Sequence, residues 1–390
     1  VATPAPPVPL AGSRALFTLD PTWSHLNHGS FGTVPRPVQE AQRRLHDEIE
    51  ANPTRFYGGG ALPDRIGRAR ELLATTVGLD PARCAFVPNA TSGVSVVLDS
   101  IPFEPGDEIV RTDHAYGSVS MAVDRIAQES GAIVRVVALP LSPSDDEVVA
   151  GVLAEITDRT RLVVLDFVTS PTAHVMPVEA VHAALRKRGI PLLVDAAHGP
   201  GLAVHPPVGD FWVGNLHKWA FAPRPTALLS VAPEWQDAIR PGVVSWRHAE
   251  GYPFRLEASG TGNPTPWLAA PVGAQLLRDF GLETVIAHND ALAQYGQHVV
   301  GAALGLTPAD LPEPGGGLPL PMRLVPLPRE LVPTPEAAGV LGARILDDLR
   351  THVAMTSFGD QTLLRLSAQI YNRAEEYERL ADRLPGILPS

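Results

Sequence analysis

The chain has 390 residues, 45% apolar and 19% charged, a composition that suits a large buried core in two or three folding units and is that of a globular, not a disordered, chain. Its net charge of −11 argues against nucleic acid as the main partner, and no apolar run approaches the roughly 20 residues that span a bilayer. A single cysteine, Cys84, excludes a disulfide framework and a multi-cysteine zinc site. The Pro- and Ala-rich start, Val1–Leu10, lacks the basic and apolar segments of a signal peptide and reads as a free arm, which points to the cytosol.

In chain order, the loop Asn27–Pro35 leads into an amphipathic helix over Arg36–Glu50. Between Leu62 and Leu229, apolar runs at Cys84–Val87, Glu108–Thr112, Ile133–Ala138, Arg161–Phe167, Pro191–Asp195, Phe211–Gly214 and Thr226–Ser230 predict short buried strands. Helical patterns at Ser92–Ser100, Ser118–Ser130, Asp145–Ile156 and Val178–Arg188 separate them. This alternation predicts an α/β fold with a mostly parallel central sheet flanked by helices, whose ligands sit beyond the carboxyl ends of the strands. Two further helices, Trp267–Phe280 and Leu282–Leu304, lead to the Pro- and Gly-rich linker Pro308–Leu320. Beyond it, strand Met322–Pro326, helix Pro335–Thr351, strands Ala354–Phe358 and Thr362–Ser367, and helix Arg373–Leu384 predict a smaller C-terminal α+β domain. The expected division is an arm over 1–24, a large domain over 25–285 and a small domain over 286–390.

Of 31 basic residues only Lys187 and Lys218 are lysines. Where arginine serves wherever charge alone matters, a retained lysine is a candidate for chemistry arginine cannot do, such as forming an imine. Lys187 ends a helix before Gly189, where a cation favours the dipole. Lys218, in Asn215-Leu-His-Lys-Trp219, follows an apolar strand and has no such explanation. Asp195 also ends an apolar strand, in Leu192-Leu-Val-Asp-Ala-Ala-His198, where it either caps the next turn or presents a carboxylate to a ligand. A lysine and a carboxylate at adjacent strand ends meet the needs of pyridoxal 5'-phosphate (PLP): one carries the aldehyde, the other keeps the pyridine nitrogen protonated. Asn89-Ala90-Thr91-Ser92-Gly93, between strand and helix, offers hydroxyls and free amides to a phosphate. Asp113-His114-Ala115-Tyr116 offers an imidazole or a phenol to cover a flat ring. Arg365, inside the apolar strand Leu363–Ile370, needs an anion, either an internal carboxylate or that of an amino-acid substrate. A metal-hydrolase centre from Asp195, His198, His205 and His217 lacks any established ligand spacing.

Leu26-Asn-His-Gly-Ser-Phe-Gly32, Asn52-Pro-Thr-Arg-Phe56, Asn89-Ala-Thr91, Asp113-His-Ala-Tyr-Gly117, Val194-Asp-Ala-Ala-His-Gly-Pro200, Asn215-Leu-His-Lys-Trp219, Gly260-Thr-Gly-Asn-Pro-Thr-Pro266 and Leu364-Arg-Leu-Ser-Ala-Gln-Ile-Tyr-Asn372 occur in this order. Together they resemble the isopenicillin N epimerase-like branch of the class V aminotransferases, relatives of cysteine desulfurases, of cysteine-sulfoxide and cysteine-conjugate C–S lyases, and of lincosamide-pathway PLP enzymes. The resemblance implies the PLP fold-type I architecture and a homodimer with sites at the subunit interface. By motif, Lys218 carries PLP, Asp195 meets the pyridine nitrogen and His198 the ring hydroxyl. Asn89, Ala90, Thr91 and His217 hold the phosphate, joined by Thr261 from the other subunit. His114 or Tyr116 lies against the ring, with Tyr116 also a candidate acid. Arg365 takes the substrate carboxylate, and Asn27 and Arg55 line the substrate side.

Many relatives carry Gly-Thr-Arg-Asp where this chain has Gly260-Thr-Gly-Asn263, and often a Gly where it has Ala196, departures that bear on the substrate and not on the cofactor. Cys84, early in a predicted buried strand, does not suit the mobile persulfide-forming cysteine of a desulfurase. The expected reaction is C–S β-elimination on an S-substituted cysteine in thiol or natural-product metabolism. The alternatives are decarboxylation-coupled deamination of an S-linked cysteine, and epimerisation or transamination of an amino acid.

Overall fold

A computed structural model describes residues 4–388; the first three residues of the expected arm and the last two of the small domain lie outside it. The strands, in chain order, are β1 Ser24–His25, β2 Cys84–Val87, β3 Glu108–Thr112, β4 Ile133–Val137, β5 Thr160–Asp166, β6 Leu192–Asp195, β7 Phe211–Asn215, β8 Ala227–Val231, β9 Met322–Pro326, β10 Thr351–His352, β11 Ala354–Phe358 and β12 Gln361–Ser367.

Seven of these form the central sheet in the order β2-β8-β7-β6-β5-β3-β4. Its inner strands are apolar on both faces, so only a sheet covered on both sides keeps them from water. The alternation of side chains assigns those faces. Leu162, Val164, Leu193, Phe211 and Val213 pack with Val94, Val97, Leu98, Val119 and Val123 from helices Ala90–Ser100 and Gly117–Ser130. Their neighbours Val163, Leu165, Leu192, Val194 and Trp212 face the opposite layer, with Val148, Val181, Leu185, Ala270 and Leu277. Strands β4, β3, β5, β6 and β7 run parallel. Strand β8 runs antiparallel to β7 and to β2. The eleven residues 216–226 between β7 and β8 form no crossover helix, so the chain returns beside the strand it has just left. That return carries Lys218.

The small C-terminal unit has the antiparallel sheet β11-β12-β9 covered by helices Leu282–Ala303, Pro335–Leu349 and Ala374–Arg383. Leu292, Val325, Leu341, Ile345, Leu364, Leu366, Tyr377 and Leu380 form its core, which also takes in Leu26. Two-residue strands β1 and β10 pair in parallel and tie the start of the chain to this unit. The arm is anchored before that: Ser13 Oγ donates to Ile370 O at 2.6 Å, and buried Phe17 packs edge-on to Phe221 and Tyr371. Helices Pro53–Gly58 and Leu62–Thr76 precede the sheet, and the sequence patterns above name neither. Among the described residues no helix is long and apolar enough to cross a membrane.

Candidate active site

Asp195 closes β6 beside Asp166 of β5 and Val213 of β7 in the sheet register. Lys218 follows β7 by three residues, so the two groups stand at the carboxyl ends of neighbouring strands. The Leu26–Gly32 segment holds the lysine turn from the other side. His28 Nε2–H donates to Lys218 O at 2.8 Å, which leaves its Nδ1 to accept from the Tyr371 hydroxyl at 3.0 Å. A Cβ at Gly32 would come within 2.7 Å of His217 O and 2.8 Å of Lys218 O, a close approach that only glycine allows.

Lys218 Nζ lies 3.1 Å from His198 Nε2. Burial, helped by the Arg365 charge and opposed by Asp195, brings the lysine down to about 7, where a free amine is available at neutral pH. Burial raises Asp195, while the Ala197 amide, 3.0 Å from Oδ1, and the Lys218 charge oppose the rise. A second carboxyl was missed by sequence reading. Asp166 is buried, its Oδ2 has no partner, and burial and the Asp195 charge lift it well above the carboxylate range. The signal was available, since Asp166 ends the apolar run Leu162–Leu165 just as Asp195 ends Leu192–Val194. Two buried carboxyls side by side at these strand ends would be stabilised by an added cation, and a protonated ring nitrogen would fit there.

The first turn of helix Ala90–Ser100 is prepared for an anion. Asn89 Oδ1 accepts from the Ser92 amide and Asn215 Oδ1 from the Ala90 amide, both at 2.8 Å. The Thr91 amide finds no acceptor among the described residues, and its side chain is exposed. An open amide at the positive end of an 11-residue helix fits a phosphate. His217 Nδ1 lies 2.9 Å from Thr226 O, and burial pushes the imidazole down to about 4.

Arg365 is 2% exposed and faces no carboxylate. Its Nη1 donates to Ser170 O at 2.5 Å and Ser170 Oγ at 3.0 Å, its Nη2 donates to Ser30 Oγ at 2.7 Å, and Nε has no partner. Burial lowers it to about 10, with Tyr116 supporting its charge. Tyr116, 42% exposed, caps helix Gly117–Ser130. Asn27 Oδ1 is buried without a partner. Ser30 and Ser170 were not named from sequence, because only the folded chain shows them on Arg365.

Other candidates stand apart. His114 is fully buried, with Nδ1 2.6 Å from Thr172 Oγ1, Nε2 3.0 Å from Pro140 O, and Phe358 4.2 Å from its ring. Both nitrogens are occupied, so of the two residues offered as ring cover Tyr116 is the one with a free side chain. Thr261 lines a separate cavity of about 540 Å³ with Tyr57, Trp246 and Trp267, and neither Lys218 nor Asp195 borders it. Arg55 is exposed on helix Pro53–Gly58, which reaches the Thr261 loop through Tyr57 Oη donating to Gly262 O. His205 is exposed, and no three His, Cys, Asp or Glu side chains among the described residues could hold a metal. Cys84 is buried in β2 and its thiol is pushed up to about 12.

The chain is similar to known proteins in sequence and in fold. A family profile described as aminotransferase class V matches residues 32–309. An isopenicillin N epimerase of Streptomyces clavuligerus is 32% identical, over 96% of this chain and 97% of its own. A probable chloroplastic L-cysteine desulfhydrase of Arabidopsis thaliana is 28% identical, over 95% and 84%. In fold, the chain matches a C-DES mutant with glycine covalently linked to the PLP cofactor, at a TM-score of 0.80 and 21% identity over 95% of this chain and 98% of that one.

Proposed function

From the premise that the chain belongs to the class V aminotransferase family, whose enzymes depend on PLP, we propose that it eliminates the β-sulfur group of an S-substituted cysteine. Bound PLP supplies an electron sink for charge developing at the substrate α-carbon. The residues of this chain do the rest. Lys218 would hold the cofactor through its Nζ and is the group that would move the α-proton, burial having lowered its amine to about 7. Asp195 would hold the proton on the ring nitrogen, His198 would meet the ring hydroxyl and Tyr116 would cover the ring. The Asn89–Thr91 turn and His217 hold the phosphate. Arg365 binds the substrate carboxylate, with Asn27 lining that side. Thr261 would reach the phosphate of the neighbouring site in a homodimer, and Arg55 would line the substrate side. The net reaction takes up water and yields thiol, pyruvate and ammonia.

The observation that carries this reading is Arg365, a buried cation with only neutral partners whose charge reaches Lys218. Desulfhydrase relatives support the sulfur chemistry, and buried Cys84 speaks against a persulfide held on the enzyme. Epimerisation is the second reading, supported by the epimerase relatives and by Tyr116, a free phenol beside Arg365.

Borohydride reduction and peptide mass spectrometry test the cofactor assignment, with an adduct expected at Lys218; an adduct at Lys187 instead would overturn it. Products from S-alkyl cysteines, their sulfoxides and unsubstituted amino acids test the reaction. Thiol and pyruvate in equal amounts are expected from the S-alkyl cysteines, and sulfenic acid with pyruvate from the sulfoxides, whereas inverted amino acid without pyruvate would establish epimerisation.

A further inference from the structure

His198 is held at both nitrogens, and the two contacts are not equivalent. Trp219 Nε1 lies 3.3 Å from His198 Nδ1. An indole nitrogen can only donate, so Nδ1 must present a lone pair, and the single proton of the neutral ring sits on Nε2. Burial, with the Arg365 charge nearby, holds the imidazole well below its usual range and keeps it neutral. Nε2–H faces Lys218 Nζ at 3.1 Å, and an N–H can bond an amine there only if that amine offers its own lone pair. Indole, imidazole and amine thus form a chain in which every donor points the same way.

We propose that Trp219 is a positioning residue that locks His198 in the Nε2–H tautomer, making it a fixed hydrogen-bond donor toward Lys218 and toward a cofactor held there. The inference rests on the PLP reading for its consequence in the loaded enzyme, but not for the tautomer itself. Trp219 is placed for the role by its surroundings. It is 1% exposed, its ring lies 5.0 Å from that of His28, and a Cβ at Gly29 would come within 3.2 Å of its Cζ2. The Leu26–Gly32 segment therefore fixes the indole as well as the lysine turn. Without the indole proton, Nδ1 would face no donor, the two neutral tautomers would compete, and Nε2 could turn from donor to acceptor. The charged and titratable groups around the imidazole are Lys218, Arg365 and, through Lys218, Asp195.

Nitrogen-15 NMR of histidine-labelled, cofactor-free protein reads the tautomer directly, with the His198 signals assigned by their loss in His198→Ala. Wild type is expected to show protonated Nε2 and bare Nδ1, and Trp219→Phe a mixture. A wild-type His198 protonated at Nδ1 would overturn the proposal, even if Trp219→Phe fails to fold. In the holoenzyme, loss of a fixed donor to the ring oxygen should raise the midpoint of the chromophore's pH titration by about one unit, a tenfold shift. That shift should vanish when Trp219→Phe is made in a His198→Ala background, whereas a general packing role would give the same shift in both. If borohydride fixes no cofactor at Lys218, the PLP reading fails while the NMR result still stands or falls alone.

Discussion

Replacing Arg365 by methionine keeps much of the side-chain volume and removes the charge, which separates a substrate-binding cation from a structural one. In this structure the guanidinium is 2% exposed and is met only by Ser170 and Ser30. No internal ion pair is broken by its removal, and relief of the guanidinium's desolvation offsets the loss of its hydrogen bonds to Ser170 and Ser30. The thermal midpoint of Arg365→Met is therefore expected to stay or rise. Substrate binding responds differently, because an α-carboxylate would lose a buried charged partner, a loss of about 2–5 kcal/mol, or about 30- to 5000-fold in affinity. The assay is an absorbance titration of the holoenzyme with an amino acid and with the matching amine that lacks the carboxylate. Wild type should prefer the amino acid by that factor, and the variant should lose the preference while still binding PLP. An unchanged preference in Arg365→Met, or a midpoint lowered by more than about 5 °C, would refute the assignment.

Two further predictions concern the lysine and the thiol. Lys218 falls from 10.5 to about 7 on folding, so between those values the unfolded chain binds more protons and the stability of the cofactor-free protein rises with pH. Denaturation at pH 7 and pH 10 should show this rise in wild type and a smaller one in Lys218→Met; equal slopes would mean that the lysine is not perturbed. Cys84→Ala should retain turnover, since the thiol is buried and pushed up to about 12. Mass spectrometry should find no persulfide on the wild-type chain, and a variant without turnover would return the enzyme to desulfurase chemistry.

Much of the fold was legible because it is written in local pattern. The buried strands Cys84–Val87, Leu192–Asp195 and Phe211–Asn215 are apolar runs bounded by turn residues, and the helices between them carry their own period. Lys218 and Asp195 stood out because charge after an apolar strand end has few local explanations, and composition left only two lysines to weigh. The reversed direction of β8 was not legible, since strand direction depends on the path of the connection and not on the strand's own residues. Strands β1 and β10 were beyond reach for another reason: two residues have no period, and their pairing joins positions more than 300 residues apart.

The same division runs through the site. Sequence alone determined which chemical groups the chain possesses: an imine-capable lysine, a strand-end carboxylate, an inward arginine and a lone cysteine. Tertiary structure decided what each of them faces. It put His114 between Thr172 and Pro140, left Tyr116 open, gave Arg365 neutral partners and set Asp166 beside Asp195. It also lowered Lys218, because burial and a neighbouring cation arise only when segments around 195, 218 and 365 converge. A residue's type is local information, but its desolvation and its hydrogen-bond partners come from chain segments brought together only by folding.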